Sequence, residues 1–305
     1  MKKVLKEKVN FTGKFHSIRT TILISYFLIA MISLSVFAIV ALHYTKKTVL
    51  ENAESYSIQL INQVNSDIDS YMGYLRNTAV LISSNSDVHN YLFGTGEDAK
   101  ESKAQVERIV AQFKTIMDTR DDIVNIGIIG ENGKYIFNHG FFKINENVDL
   151  ENVEWIEQAY RNHGTIEISS SHVQNVIDGR YEWVVTLSRG LQNKSSKELE
   201  GVFFVDLNYS SISELCDSIS LGNRGYIYII DAEGNLIYHP QQQLIYFGLK
   251  EENTASLVGL ADGEYVLDNT IYTIQKLERH DWCVVGVSFV DEVVSASFAE
   301  ITRLL

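Results

Sequence analysis

Two charged residues interrupt otherwise apolar, strand-like segments, and their charges require partners. Arg189 lies within VVTLSRGL, and Asp206 ends GVFFVD. A charge among apolar side chains is costly unless it is paired or binds a ligand. We expect Arg189 to pair with an acidic residue of the same part of the chain, or else to hold an anion. Asp206 is expected either to accept a hydrogen bond from a ligand hydroxyl or amine, or to cap the helix that begins near Tyr209.

Five further side chains have types that suit a small-molecule pocket, which is usually apolar with a few polar groups. Trp155 can stack on a ligand or, alternatively, pack its helix onto a sheet. The other candidates for the same cavity are His172, Tyr135, Tyr181 and Trp183. Aromatic rings beside hydroxyl and acidic groups favour a sugar or another polar neutral metabolite as the ligand.

The sequence has no pattern typical of a metal site or a catalytic site. Its histidines lack the His-x-x-His and His-Glu-x-x-His spacings, and it contains no Gly-x-Ser-x-Gly motif. We therefore predict no catalytic residue, no metal and no cofactor in this chain. Cys216 and Cys283 lie in apolar contexts, which favours two buried free thiols over a disulfide.

The chain is large enough for a folded core, and its charge is unevenly distributed. It has 305 residues, of which 45% are hydrophobic, and a formal net charge of −13. This composition excludes global disorder, and it argues against a nucleic-acid partner, which would require a basic surface. Residues 1–19 contain six basic residues and one acidic residue. The remainder is therefore more acidic than the whole chain.

Residues 20–42 form a run of 23 positions without a charged side chain. Because ~20 apolar residues are enough for a helix to span the bilayer core, this run predicts a transmembrane helix. The basic residues before it predict a cytoplasmic tail over 1–19 and an exported remainder at the cell membrane. A cleaved signal peptide and a buried core helix are the alternatives. The length of the run and the absence of a polar face disfavour them.

A helical stripe follows the apolar run. Apolar or small residues recur every three or four positions from Leu50 to Ile82, which is the spacing of one helix face. We predict a long stalk helix over 43–83 that pairs with a second copy in a homodimer, packs on its own domain, or does both. A second helix is expected over about 100–119.

Two strand-rich regions share a short pattern. IIGENGKYIFNH, beginning at Ile128, aligns without a gap with IIDAEGNLIYHP, beginning at Ile229. The turn glycines Gly133 and Gly234 coincide. This offset of 101 residues predicts two copies of one α/β lobe. In addition, helices are expected over about 151–162 and 209–219, and strands near 165–172, 180–190 and 201–207.

These features together resemble the double Cache sensor domain of bacterial transmembrane receptors, and within it the YesM-like sensor histidine kinases. The segments that carry the resemblance are WIEQA at 155–159, TLSRGL at 186–191, GVFFVDLNYSSISEL at 201–215, GNRGYIYIIDAEGNLIYHPQQQLI at 222–245 and DWCVVGVSFVDE at 281–292. The implied fold class is α/β, with a long N-terminal helix followed by two PAS-like antiparallel-sheet lobes.

The resemblance implies a domain order for the exported part. A membrane-distal PAS-like lobe would cover 84–208, a connecting helix 209–220 and a membrane-proximal lobe 221–290. An exit helix over 291–305 would lead to a second transmembrane segment. The distal lobe of such receptors usually holds a small ligand, and the proximal lobe usually relays the change across the membrane. A cytoplasmic kinase part would normally follow, acting on a response regulator.

The sequence departs from the family pattern at the amino-acid site. Some Cache domains bind amino acids through an Arg-x-Trp-Tyr run and later acidic residues. Here Trp155 is kept, but Val153 replaces the arginine and Ile156 replaces the tyrosine, whereas Asp206 matches the last acidic position. An α-amino-acid ligand is therefore not favoured, because its carboxylate would lack a guanidinium partner.

The expected function is the extracytoplasmic ligand-sensing and signal-transducing region of a membrane-bound two-component histidine kinase. Three alternatives remain: the sensor of a chemoreceptor, the sensor of a cyclase, and a membrane-anchored surface enzyme or adhesion protein. The sequence contains no histidine-kinase box, so we expect no kinase activity from this chain alone.

Overall fold

The computed structural model describes residues 18–94, 99–161, 164–193, 195–277 and 281–295. Most of the predicted tail over 1–19 lies outside these residues. Residues 290–295 are helical, and the rest of the predicted exit helix over 291–305 lies outside the described part.

One continuous helix, α1 (Ile18–Ser83), contains both the predicted transmembrane segment and the predicted stalk. Its N-terminal part includes an 18-residue window with a mean hydropathy of 2.5, none of it buried, so length and composition make it a candidate membrane span. The C-terminal half buries one stripe of side chains at helical spacing: Ile61, Val64, Ile68, Met72, Leu75, Ala79 and Ile82. The packing of the C-terminal part of the stripe on its own domain is therefore confirmed, and pairing with a second copy stays a prediction.

A first antiparallel sheet packs beside the C-terminal end of α1. Two helices precede it, α2 (Ser86–Phe93), which was not predicted, and α3 (Ala99–Met117). The strands are β1 (Ile123–Gly130), β2 (Tyr135–Phe137), β3 (Ile166–Ile168), β4 (His172–Val173), β5 (Trp183–Gln192) and β6 (Leu199–Asn208). Their order is β2-β1-β6-β5-β3, with β4 paired to β5. A 3-10 turn (Leu150–Asn152) and helix α4 (Glu154–Arg161) lie between β2 and β3.

A second antiparallel sheet packs on α1 nearer to its apolar end, where Asn65 Nδ2 donates to the Lys276 carbonyl over 2.9 Å. Helix α5 (Tyr209–Asp217) leads into it. The other elements are β7 (Tyr226–Ile230), β8 (Leu236–Tyr238), α6 (Gln242–Tyr246), β9 (Gly263–Leu267), β10 (Thr270–Lys276) and β11 (Cys283–Phe289). The strand order is β8-β7-β11-β10-β9. We call the first sheet with its helices the distal lobe, and the second the proximal lobe.

The predicted internal repeat is confirmed by topology. The hairpin of the first two strands lies at one edge of each sheet, as β2-β1 and β8-β7. The last strand of each lobe, β6 or β11, pairs with the first strand, and β5 or β10 pairs with it on the other side. The hairpin turns use Gly133 and Gly234 at φ values of 78° and 89°, which side chains with a Cβ rarely adopt. The register agrees as well, since Ile129 lies opposite Val202 and Ile230 lies opposite Cys283.

Each sheet has two faces with different partners, because successive side chains of a strand point to opposite sides. The inner faces of both sheets share one core with α1, which contains Phe203, Val205 and Cys216. The outer face of the distal sheet carries a separate cluster that includes Phe204. The outer face of the proximal sheet carries a third cluster that includes Cys283.

The two cysteines are free and buried, as predicted. They belong to different clusters, Cys216 on the inner side and Cys283 on the outer face of the proximal sheet. Burial raises the pKa of the Cys216 thiol above its usual range and raises that of Cys283 to about 11. Both groups are therefore protonated thiols that pack as small apolar side chains.

Candidate ligand site in the distal lobe

A row of three polar side chains crosses the centre of the distal sheet on its outer face. Asp206 of β6 lies opposite Asn125 of β1 and opposite Thr186 of β5. All three side chains are fully buried. Asn125 Nδ2 donates to Asp206 Oδ2 over 2.9 Å, and Thr186 Oγ1 donates to Oδ1 over 2.7 Å. We call these three residues the distal row.

The segment 169–176, which contains β4, closes over the distal row. The amide of Gln174 donates to Asp206 Oδ2 over 2.5 Å and accepts from the Val176 N–H over 2.9 Å. His172 Nε2 lies 3.3 Å from Thr186 Oγ1. His172 Nδ1 lies 3.0 Å from the Ser170 carbonyl. The segment thus adds an amide and an imidazole to the polar groups around the carboxyl of Asp206.

The carboxyl of Asp206 is under opposing electrostatic influences. Burial raises its pKa, because a low-dielectric environment penalises the charged form. Hydrogen bonds from Thr186, Asn125 and Gln174 act against that rise. Within the described residues, Asn125 Oδ1 and Asn138 Nδ2 are buried without a hydrogen-bond partner. The Asn125 Oδ1 acceptor belongs to the distal row, and a ligand donor could pair with it.

An aromatic wall borders the distal row on the outer face. The Trp155 ring of α4 packs on Phe204 at a centroid distance of 4.9 Å, and Phe137 lies 6.1 Å from Phe204. Gly127 permits this packing, because a Cβ there would come within 2.5 Å of Phe204 and 2.6 Å of Phe137. Tyr135 extends the wall, with its ring 5.2 Å from Phe137.

A cleft of about 820 Å³ lies beyond this wall, near the β1–β2 turn. Phe204 lies between Val202, which lines the cleft, and Asp206 on the same face of β6. The cleft and the distal row are therefore separate spaces. The side chains and backbone that line the cleft come from Ile129, Gly130, Glu131, Gly133, Ile144, Leu150, Glu151, Ile156, Glu157, Tyr160, Arg161 and Val202.

The structure brings four of the seven predicted site residues to the outer face of the distal sheet: Trp155, Asp206, His172 and Tyr135. Trp155 is 2% exposed and packs α4 on the sheet, which was the alternative to ligand stacking. Asp206 does not cap α5. That role belongs to Asn208, whose side chain accepts from the Ser210 N–H.

Arg189 lies on the inner face of the sheet, opposite to the distal row. Its Nε donates to the Gly164 carbonyl over 2.8 Å, and its Nη1 donates to Ser83 Oγ over 3.0 Å. Among the described residues it makes no ion pair, so the expected pairing with an acid is wrong there. The guanidinium instead fastens the C-terminal end of α1 to β5.

Tyr181 and Trp183 face the proximal lobe and do not line the same space as Asp206. Tyr181 is 62% exposed. The Trp183 ring packs edge-on against Tyr246 of α6 at a centroid distance of 5.2 Å. Both residues line a cleft of about 500 Å³ between the lobes, together with Asn208 and Gln242.

Sequence reasoning missed Asn125, Thr186 and Gln174. Two of them carry a weak signal, because Asn125 in IVNIG and Thr186 in VVTLS are polar residues inside apolar strands. A polar residue at such a position faces either solvent or a buried partner. Gln174 carries no such signal, because it lies in the largely polar segment SSSHVQN.

Curated relatives of this chain are chemoreceptors. Over 212 residues, 67% of this chain and 30% of the relative, it is 24% identical to the methyl-accepting chemotaxis protein McpB of Bacillus subtilis (strain 168). It is 26% identical to McpC of the same organism over 144 residues, 47% of this chain and 21% of that protein. The chain thus spans less than a third of the length of these relatives.

Several solved structures share the fold. The ligand-binding domain of the Campylobacter jejuni chemoreceptor Tlp3 with 4-methylisoleucine has a TM-score of 0.59 and 14% identity, covering 82% of this chain and 96% of that domain. The Pseudomonas aeruginosa PAO1 amino acid chemoreceptor PctC with GABA has a TM-score of 0.56 and 15% identity, covering 78% of this chain and 100% of that domain. At these identities the likeness establishes the fold alone.

The family model for the Cache domain, in its double form, matches residues 43–297. The match includes the C-terminal half of α1, both sheets and the segment that carries Gln174 and His172. It agrees with the α/β architecture of one long helix and two antiparallel-sheet lobes. The chain belongs to the Cache domain family.

Proposed function

We propose that this chain is the ligand-sensing and signal-transducing region of a membrane-anchored receptor, with its two lobes outside the cytoplasm. The observation that carries the proposal is a buried polar row in a Cache lobe that packs on α1. The N-terminal part of the same helix is exposed and apolar. The basic residues before that helix favour a cytoplasmic N-terminus. The residues of the distal row with Gln174 and His172 form the proposed ligand site.

The groups around the distal row favour a neutral, hydroxylated ligand. Solved chemoreceptor domains of the same fold hold amino acids such as L-serine and L-isoleucine, whose carboxylates need a positive partner. Here Val153 stands where the resemblance would call for arginine, and Arg189 lies on the other face of the sheet. Carboxyl, amide and hydroxyl groups pair well with ligand hydroxyls, as in a sugar or polyol.

Ligand access requires the segment 169–176 to move, because the distal row is fully buried. A ligand hydroxyl would replace the Gln174 amide at Asp206 and shift this segment. Ser170 Oγ of the same segment donates to Asp231 Oδ2 over 3.4 Å, in the β7–β8 turn of the proximal lobe. A ligand that binds one arrangement of the segment more tightly would therefore shift the contact between the lobes.

The proximal lobe offers a route from that contact to the membrane. Tyr209, the first residue of α5, accepts from the His239 N–H over 2.9 Å and donates to the His239 carbonyl. Asn65 of α1 bonds to Lys276 of β10. A change in the proximal lobe would thus act on α1 about five turns before its C-terminal end, and α1 would carry it into the membrane.

Two output classes fit such a sensor. The curated relatives favour a chemoreceptor, since they are methyl-accepting chemotaxis proteins. A histidine kinase acting on a response regulator is the second candidate, favoured by the resemblance of 222–245 and 281–292 to YesM-like kinases. Ligand-dependent methylation of the native full-length protein would support the first output. Autophosphorylation from ATP would support the second.

Calorimetry tests the ligand class. The full chain in detergent micelles is titrated with neutral sugars and polyols, with α-amino acids and with simple carboxylates. Heat of binding with the neutral hydroxylated compounds supports the proposal. Binding to α-amino acids alone, or to carboxylates alone, would overturn the proposed ligand class and leave the sensor function standing.

A further inference from the structure

The proximal lobe contains a polar cluster at the position equivalent to the distal row. Tyr226 of β7 lies opposite Val287 of β11, and Val287 lies opposite Tyr272 of β10. These three residues occupy the positions in the proximal sheet that correspond to the distal row on β1, β6 and β5. The repeat offset of 101 residues carries Asn125 to Tyr226. The central strand supplies a valine here, so any carboxylate must come from elsewhere.

Glu252 supplies that carboxylate from the segment 247–262, which covers the outer face of the proximal sheet. Its side chain is 6% exposed. Glu252 Oε2 accepts from the Tyr226 hydroxyl over 2.9 Å and lies 3.0 Å from His239 Nε2. Because His239 Nδ1 accepts from the Gln241 N–H over 2.9 Å, the imidazole proton is on Nε2 and is donated to Glu252.

Glu252 is a carboxylate in this environment. Burial raises its pKa, but the hydrogen bonds from His239 and Tyr226 and the charge of Lys250 outweigh burial and hold the pKa below its usual range. A buried negative charge of this kind is stable only while a positive or donating partner remains beside it.

Lys250 provides the positive partner. Its Nζ lies 3.3 Å from Glu252 Oε2 and 4.6 Å from the centroid of the Tyr226 ring. A carboxylate together with an aromatic face is a favourable environment for an ammonium group. The Lys250 side chain is 27% exposed, and it belongs to a segment without helix or strand. The ammonium therefore binds between a carboxylate and an aromatic ring, and its side chain reaches that position from the solvent side.

One hydroxyl group of this cluster makes no hydrogen bond to the described residues. Tyr228 is fully buried, and its hydroxyl has no hydrogen-bond partner among the described residues. Its ring lies 6.2 Å from that of Tyr226 and 5.8 Å from that of His239. A buried hydroxyl without a partner is destabilising and marks a position that a further polar atom could fill.

We propose that the proximal lobe carries a second small-molecule site, specific for a primary ammonium group, in which Lys250 stands in for the ligand. Departure of Lys250 would leave Glu252 with only the neutral donors of His239 and Tyr226, so a cation is the replacement that restores a charged partner. A ligand ammonium gains in addition the Tyr228 hydroxyl, which Lys250 does not engage. Release of Lys250 would free the segment next to Tyr246, whose ring contacts Trp183 of the distal lobe.

Removal of the Lys250 ammonium tests the site directly. The full chain in detergent micelles is titrated with ethylammonium chloride by calorimetry, as wild type, Lys250→Met and the exposed control Lys143→Met. We expect Lys250→Met to bind ethylammonium at least about tenfold more tightly than wild type, and Lys143→Met to match wild type. Adding Glu252→Gln should abolish the gained binding. A folded Lys250→Met that binds no more tightly than Lys143→Met overturns the proposal.

A second measurement uses the wild-type chain, so that it does not depend on the folding of a variant. Hydrogen exchange of peptides within 247–262 is compared in high concentrations of ethylammonium chloride and of sodium chloride at the same ionic strength. Faster exchange in ethylammonium alone supports displacement of Lys250. Equal exchange in the two salts contradicts it.

Discussion

The side-chain amide of Gln174 donates a hydrogen bond to Oδ2 of Asp206 over 2.5 Å, and both residues are fully buried. This contact closes the segment 169–176 over the distal row and leaves no direct path from solvent to the carboxyl. The same segment reaches Asp231 through Ser170. The Gln174–Asp206 bond therefore links the state of the distal row to the contact between the lobes.

Substitution of Asp206 separates its role in binding from its role in stability. Asp206→Ala leaves the donors of Asn125, Gln174 and Thr186 without an acceptor, and we expect it to lower the free energy of unfolding by about 3 kcal/mol or more. Asp206→Asn keeps the shape and one acceptor oxygen, so it should cost less stability. Both variants should weaken ligand binding at least about tenfold. Denaturant unfolding and calorimetry measure the two effects, and unchanged affinity in a folded Asp206→Asn would remove Asp206 from the site.

Gly127 tests the packing of the aromatic wall. A Cβ at Gly127 would meet Phe204 and Phe137 at 2.5 and 2.6 Å, so Gly127→Ala should lower the free energy of unfolding by about 1–3 kcal/mol. Gly140→Ala is the matched control, because nothing lies within 4 Å of its added Cβ. Thermal unfolding compares the two. Equal stability of both variants would contradict the close packing of the aromatic rings at Gly127.

Substitution of Arg189 tests whether this residue stabilises the fold and takes no part in ligand binding. Arg189→Met removes the hydrogen bonds to the Gly164 carbonyl and Ser83 Oγ, and should destabilise the fold by about 1–2 kcal/mol. Ligand affinity should stay within about twofold of wild type, because the side chain lies on the inner face. Ser83→Ala should show a smaller effect of the same kind. A large loss of ligand affinity in a folded Arg189→Met would return Arg189 to the site.

Glu264 gives the proximal lobe a predicted pH dependence. Burial, and then the charge of Glu54 on α1, raise the pKa of Glu264 from 4.5 to about 7. Between these two values the folded state binds the proton more tightly than the unfolded state, so stability falls as the pH rises through this window and levels off above it. The thermal midpoint of wild type should therefore drop between pH 5 and 8 by more than that of Glu264→Gln. Parallel pH profiles for the two proteins would contradict this prediction.

The parts of the fold that follow from local patterns could be predicted from the sequence. The stripe from Leu50 to Ile82 is visible as a three-and-four spacing, and the repeat at Ile128 and Ile229 is visible as an ungapped match. Both signals lie within one element or one hairpin. The short helices α2 and α6 were not predicted, and α6, with five residues, has too few turns to show a period.

The site could be predicted only in part, because it depends on strand register. Asn125 and Asp206 are 81 residues apart, and Gln174 and Asp206 are 32 apart. Arg189 and Asp206 look alike as charges in apolar strands, but the pairing of Thr186 with Asp206 puts Arg189 on the other face. Its partner Ser83 is 106 residues away. Only the folded sheet fixes these relations.

The central claim is that the distal row binds a neutral hydroxylated small molecule, and mass spectrometry of the retained ligand tests it most directly. The full chain is purified from its native expression host without added ligand, denatured, and the released compounds are compared with those from Asp206→Asn treated identically. A sugar-like or polyol compound released by wild type and missing from Asp206→Asn is the predicted result. An α-amino acid released by wild type, or the same compounds in equal amounts from both proteins, would contradict the claim.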